Sequence, residues 1–198
     1  MKRTFFSLAL LLAVATLTAQ TKMTAREAAV KIADRILAST TYEFKNTKTG
    51  EIYKSVKKLP LDMDVKVACK YNNWHYTNGV TNMALMELGD KLGDKKYEKY
   101  VLKNMNFVFN EGNLDFFRKQ YDEAFKRDGW NAVRKLSWHM IFRGKRLDDN
   151  GPMGASLIEL QLKYPNDSFL GYINETAEHL NYGEPRLVDG TIARIWPH

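Results

Sequence analysis

The chain has 198 residues, 44% of them apolar and 12% aromatic, with one cysteine and a formal net charge of +7. That is enough for a single domain with a sizeable core. The lone Cys69 excludes an internal disulfide and reads as a small buried side chain. The basic residues are scattered among acids with no dense run, which argues against nucleic acid as a partner.

Residues 1–19 read as a secretory signal. Lys2 and Arg3 form a basic start, Phe5 to Ala15 a short apolar run, and Thr16 to Gln20 offers small residues, with cleavage predicted after Ala19. The apolar run falls short of the roughly 20 residues that span a bilayer. The remaining residues, 20–198, therefore read as one periplasmic or secreted domain without a membrane partner.

From there the pattern is helical. Thr24-Ala-Arg-Glu27 is a capping box that opens a segment with Val30, Ala33, Ile36 and Leu37 on one face. Asn46 to Lys58 is polar, with a turn at Thr49-Gly50 and room for a short hairpin. Trp74-His-Tyr-Thr-Asn-Gly79 leads into a helix with Val80, Met83, Ala84, Met86 and Leu88 as its expected apolar face, stopping at Gly89 or Gly93. Lys95 to Asn110 repeats the pattern with Tyr97, Tyr100, Val101, Asn104 and Val108. Two further helices are predicted over 114–127 and 130–142. Met153–Tyr164 follows, ending at Pro165, and then 167–180, ending near Gly183. About seven helices joined by short loops make an all-α array of hairpins, with no solenoid repeat.

Two adjacent carboxylates, Asp148 and Asp149, precede the Met153 helix. Asn150, Gly151 and Pro152 read as a turn there, with the proline in the first helical turn. By themselves the acids are a helix cap. Trp74 and Tyr76 alone would be core aromatics, and Arg194 a surface base. Glu175 and Glu178 read as a solvated face. His75, His139, His179 and His198 lack a metal-ligand spacing, so no metal is expected. No phosphate loop or serine-nucleophile elbow is present. Asn166 and Asn174 begin Asn-X-Ser/Thr triplets that serve equally as caps and surface residues.

Three phrases taken together resemble the unsaturated rhamnogalacturonyl hydrolases, glycoside hydrolase family 105, and their family 88 unsaturated glucuronyl hydrolase relatives. Leu147-Asp-Asp-Asn-Gly-Pro-Met-Gly-Ala-Ser-Leu157 is similar to the family's Leu-Asp-Asp-x-Gly-x-Met-Gly-Ala segment. Leu187-Val-Asp-Gly-Thr-Ile-Ala-Arg194 is similar to its Asp-Gly-Thr-Leu-Ala-Arg turn, and Trp74-His-Tyr-Thr-Asn-Gly-Val80 to an aromatic helix opening. The resemblance implies an (α/α)6 barrel of six helical hairpins, acting on unsaturated uronyl oligosaccharides left by pectin-cleaving lyases. The implied chemistry is hydration of the C4=C5 double bond. An acid protonates C4, water adds at C5, and the hemiketal opens to release the sugar, with no metal or organic cofactor.

On this resemblance Asp149 is the carboxylate that holds the unsaturated sugar and orients water, with Asp148 supporting it. Trp74 and Tyr76 line the sugar pocket, and Arg194 pairs with the uronate carboxylate. The family's principal acid sits in a Trp-x-Asp-Asp phrase, which this sequence does not contain. A full barrel also needs on the order of 250 residues. The resemblance therefore implies an amino-terminal portion of about three hairpins, inactive or nearly so. Its open edge invites self-association. The competing expectation is a non-catalytic secreted helical protein that binds acidic carbohydrate or acts as a scaffold. A polysaccharide lyase is a weaker third possibility, because no Tyr/His base constellation is recognisable.

Overall fold

A computed structural model describes residues 23–143 and 147–193. The predicted signal at 1–19 lies outside the described residues. The chain divides into two compact units, residues 1–35 and 36–198. The described residues are mostly helical, in seven helices, so the class is all-α as the periodicity predicted. Among the described residues no helix is long and apolar enough to cross a membrane.

Helix α1 spans Ala25–Ser39. Its capping box forms as the sequence predicts: the Thr24 N–H donates to Glu27 Oε2 at 2.8 Å, and the Glu27 N–H donates back to Thr24 Oγ1 at 3.2 Å. The backbone hydrogen bond from Thr24 holds the Glu27 carboxyl below its ordinary range.

Three short strands follow, β1 (Phe44–Asn46), β2 (Ile52–Tyr53) and β3 (Val65–Val67), in the order β2-β1-β3 with both pairings antiparallel. The predicted hairpin is β1–β2. Asn46 builds its turn by accepting the Lys48 and Thr49 N–H groups on Oδ1, and Gly50 takes the left-handed φ of 81°. The third strand has no counterpart in the sequence reading.

Two helical hairpins belong to the second unit. The first joins α2 (Tyr76–Leu92) to α3 (Lys96–Val108) through a left-handed Gly93, and the Asp94 N–H donates to the Gly89 carbonyl. All five predicted core positions of α3 (Tyr97, Tyr100, Val101, Asn104 and Val108) are buried. The second joins α6 (Leu147–Lys163) to α7 (Asp167–Glu178) across Pro165 and Asn166, whose side chain caps the Ser168 N–H at 2.9 Å.

Between them run α4 (Glu111–Val133) and the single-turn α5 (His139–Arg143). The sequence placed a helix break between Arg127 and Trp130. The structure has that break: Asp128 and Gly129 lie outside helical geometry, Gly129 at φ 51°, so two helical segments meet at a kink within 111–133. Phe44, Phe107, Phe117 and Trp138 form an aromatic core joining the strands to α3 and α4, with Phe117 and Trp138 ring centres 4.7 Å apart. The Trp138 indole N–H donates to the Asn72 carbonyl at 2.7 Å, which anchors the tryptophan despite its left-handed φ of 55°.

Helices α2 and α6 lie side by side and run parallel. Gly79, in the first turn of α2, faces the Pro152–Met153 peptide of α6 so closely that a Cβ there would fall 2.4 Å from the Pro152 carbonyl carbon. At the opposite ends, Lys163 of α6 reaches Asp90 of α2 at 3.1 Å. The expected apolar face of α2 is largely inverted. Asn78, Gly79, Asn82, Leu85, Met86 and Gly89 are buried, whereas Val80 is 55% exposed and Met83 is also exposed. The cause is local. Gly79 must face α6 for the backbones to approach, and Asn78 turns inward to donate to the Lys70 and Asn73 carbonyls.

Candidate functional site

Parallel packing brings the beginnings of α2 and α6 to one end of the pair. His75 caps α2, with the Thr77 N–H donating to Nδ1 at 3.4 Å and the Thr77 hydroxyl 2.9 Å from the same nitrogen. The next residue, Tyr76, is 45% exposed and lies against the His75 ring at 4.5 Å between centroids. An exposed tyrosine on a capped helix start presents a rigid amphipathic face of the kind that suits a sugar ring.

Asp148 and Asp149 do not sit in a turn, as expected, but within the first turn of α6, which begins at Leu147. Asn150, Gly151 and Pro152 are helical too. Pro152 is the sixth residue of the helix, so its missing N–H withdraws the bond that the Asp148 carbonyl would otherwise receive. The helix tolerates it because the gap comes in the opening turns, where α2 presses against the Pro152 peptide through Gly79. Asp148 is exposed at this end. The Asp149 side chain, and the whole of Arg194, lie outside the described residues.

Trp74 departs from the expectation. It is 1% exposed and packs edge-on against Tyr172 of α7 at 4.9 Å and Phe109 at 5.8 Å. It is a core aromatic beneath Tyr76, with no face open to a sugar. Two residues assigned no site role from the sequence, Tyr172 and Asn150, meet on the far side of that contact. Asn150 is 3% exposed, and its Oδ1 accepts the Tyr172 hydroxyl at 2.7 Å. A polar side chain directly after the acid pair, at the start of an apolar-periodic helix, was the available signal.

The Asp-Gly-Thr phrase forms a tight turn. Gly190 takes φ 85°, Asp189 Oδ1 accepts the Thr191 N–H at 2.9 Å, and the Leu187 N–H donates to the Thr191 carbonyl at 2.8 Å. That backbone bond from Thr191 holds the Asp189 carboxyl below its ordinary range. Arg186 closes the turn by donating to the Gly190 and Leu180 carbonyls, each at 2.9 Å. Its neighbours Leu187 and Val188 are exposed.

The opposite end of the α2/α6 pair is tied by charge. Glu98, at the start of α3 and 7% exposed, receives Lys163 Nζ at 2.7 Å and the Tyr164 hydroxyl, while Lys163 also reaches Asp90. The hydrogen bond from Lys163 holds the Glu98 carboxyl below its usual range, and the same bond raises Lys163.

A cleft of about 790 Å³ lies elsewhere. Val56, Lys57 and Leu61 line one side, and Glu111, Asp115 and Lys119 of α4 the other. Neither Tyr76 nor Asp148 contributes to it, and its lysines face carboxylates, Lys119 being 2.7 Å from Asp115. Among the described residues no group of three or more His, Cys, Asp or Glu side chains could hold a metal ion. Cys69 is half-buried and unbridged. Comparison of the chain with protein-family models and with curated proteins finds no match.

Proposed function

We propose that this chain is related to the six-hairpin hydrolases of glycoside hydrolase families 105 and 88 and is exported to the periplasm or beyond. Its role is to hold the unsaturated uronyl end of an acidic oligosaccharide at the end of α2 and α6 that carries Tyr76, Asp148 and Asp149. The parallel pairing of α2 and α6 carries this reading. Inner helices of a barrel of hairpins run parallel, each followed by a returning partner, and α2 and α6 are each followed by such a helix, α3 and α7. The arrangement gives the tyrosine and the acid pair, 72 and 73 positions apart in sequence, a common end.

Tyr76 then offers its ring to the apolar face of a pyranose, and the α6 carboxylates accept hydroxyl hydrogens and orient water for addition at C5. Protonation of C4 needs a carboxylic acid with a raised pKa, and the Trp-x-Asp-Asp phrase that would supply one is not in this sequence. The reading therefore predicts binding with little or no turnover. Titration with an unsaturated digalacturonate tests it by calorimetry for binding and by loss of the double bond's ultraviolet absorbance for turnover. Saturable binding that Asp149→Asn or Tyr76→Ala weakens supports the reading, and absence of binding overturns it.

A second reading, a non-catalytic scaffold that pairs with itself, draws on a different observation. Leu147, Ile158 and Leu162 are exposed along one flank of α6, an apolar stripe on a helix whose other faces meet α2 and α7. Light scattering that finds a dimer, together with no oligosaccharide binding, favours it.

A further inference from the structure

We infer that Tyr172 and Asn150 are positioning residues that fix the carboxylate-bearing first turn of α6 against α7, an assignment that rests on the reading of that turn as the oligosaccharide-holding site. The turn is short of internal restraint. Pro152 has no N–H for the Asp148 carbonyl, and Gly151 adds backbone freedom immediately before it. Terminal helical turns with missing backbone bonds open at low free energy, yet a carboxylate pair must be held steady to bind a sugar and aim a water.

Two ties compensate. One is the approach of Gly79 to the Pro152–Met153 peptide, which fixes the turn against α2. The other is the 2.7 Å bond from the Tyr172 hydroxyl to Asn150 Oδ1, which fixes it against α7. Asn150 lies two residues from Asp148, some 200° around the helix, so the bond holds the inner face while Asp148 on the outer face stays exposed. The Tyr172 ring is itself wedged edge-on between Trp74 and Phe109, at 4.9 and 5.7 Å. The geometry at the acid pair is thereby referred to the start of α2, where Tyr76 stands. An apolar pair of similar shape would fill the same space without the polar desolvation cost. What the polar pair adds is a fixed rotation of the turn.

The test uses the full chain and an unsaturated digalacturonate as probe. Tyr172→Phe removes one hydroxyl and keeps the ring. Its expected effect is an affinity about tenfold lower, the worth of one lost orienting hydrogen bond, with faster amide exchange confined to residues 147–153 and a changed pH profile of binding across the carboxylate range. Asn150→Ala should give the same loss, and the double variant no more than either alone. Val108→Ala, a core truncation in α3, is the control for mere destabilisation and should leave affinity unchanged. If the unaltered chain binds and Tyr172→Phe matches it in affinity and pH profile, this inference is overturned while the binding reading stands. If the unaltered chain does not bind, both fall. If Val108→Ala weakens binding as much as Tyr172→Phe, the pair is structural only and the inference is again overturned.

Discussion

The two ends of the α2/α6 pair are built on opposite principles. At the beginnings of the helices the contact is backbone to backbone: a glycine admits the Pro152 peptide, one helical hydrogen bond is missing, and Tyr76 and Asp148 stand exposed. At the ends of the helices the contact is ionic, with Glu98 enclosed by Lys163 and Tyr164 and with Asp90 close by. One end exposes Tyr76 and Asp148, and the other encloses Glu98. The open end keeps Asp148 and an aromatic ring exposed, which is what a ligand site requires and a core does not.

The largest expected effect on this contrast comes from filling the glycine contact. Gly79→Val forces α2 from α6 at the one point where the backbones touch. It should cost about 3 kcal/mol, at the upper end of overpacking penalties, read as a lower urea midpoint. A loss below half that size would mean the helices can slide apart cheaply and that the open end is not set by Gly79.

Breaking the closed end is next. Lys163→Met leaves Glu98 enclosed without its cation and should cost about 2 kcal/mol, with no change in oligosaccharide affinity. Its pH signature has a definite sign. Glu98 is depressed below its reference value of 4.5, so its contribution is complete above that value and is lost as pH falls through the lower folded value. Lys163 is raised above 10.5, so its share is complete below that value and disappears as pH rises beyond it. Glu98→Gln should therefore flatten the acid limb of the stability curve. An acid limb unchanged in that variant would assign acid sensitivity to other carboxylates.

The smallest effect on stability, and the most telling for function, is expected at Tyr76. Tyr76→Ala removes a half-exposed ring and should change stability by no more than about 0.5 kcal/mol. Its oligosaccharide affinity should fall about tenfold, the scale of a lost aromatic platform. Unchanged binding would remove Tyr76 from the site.

Most helices could be read from the chain because their signals are local. The Thr24 capping box, the α3 core positions and the Asn166 cap each depend on residues within one or two turns of each other. What could not be read depends on contacts across the fold. Gly79 looks like a weak helix residue until α6 is set against it, and that contact reverses which side of α2 is buried. Trp74 could equally have been a sugar platform or a core ring, and only its neighbours Tyr172 and Phe109 decide for the core. Strand β3 is three residues long and exists through pairing with β1, with the Val65 carbonyl also accepting from Gln120 of α4. The acid pair was legible as a motif but not as the opening of a helix, because Asn-Gly-Pro ordinarily signals a turn.

If the beginnings of α2 and α6 form one ligand-binding end, as proposed, both segments must respond together to a bound oligosaccharide. Chemical-shift mapping of the isotope-labelled chain during titration with an unsaturated digalacturonate tests it most directly. The account predicts saturable shifts clustered at residues 75–79 and 147–153, with Glu98, Lys163 and the Lys57–Lys119 cleft unmoved. Shifts centred on that cleft, or no shifts anywhere, would contradict it.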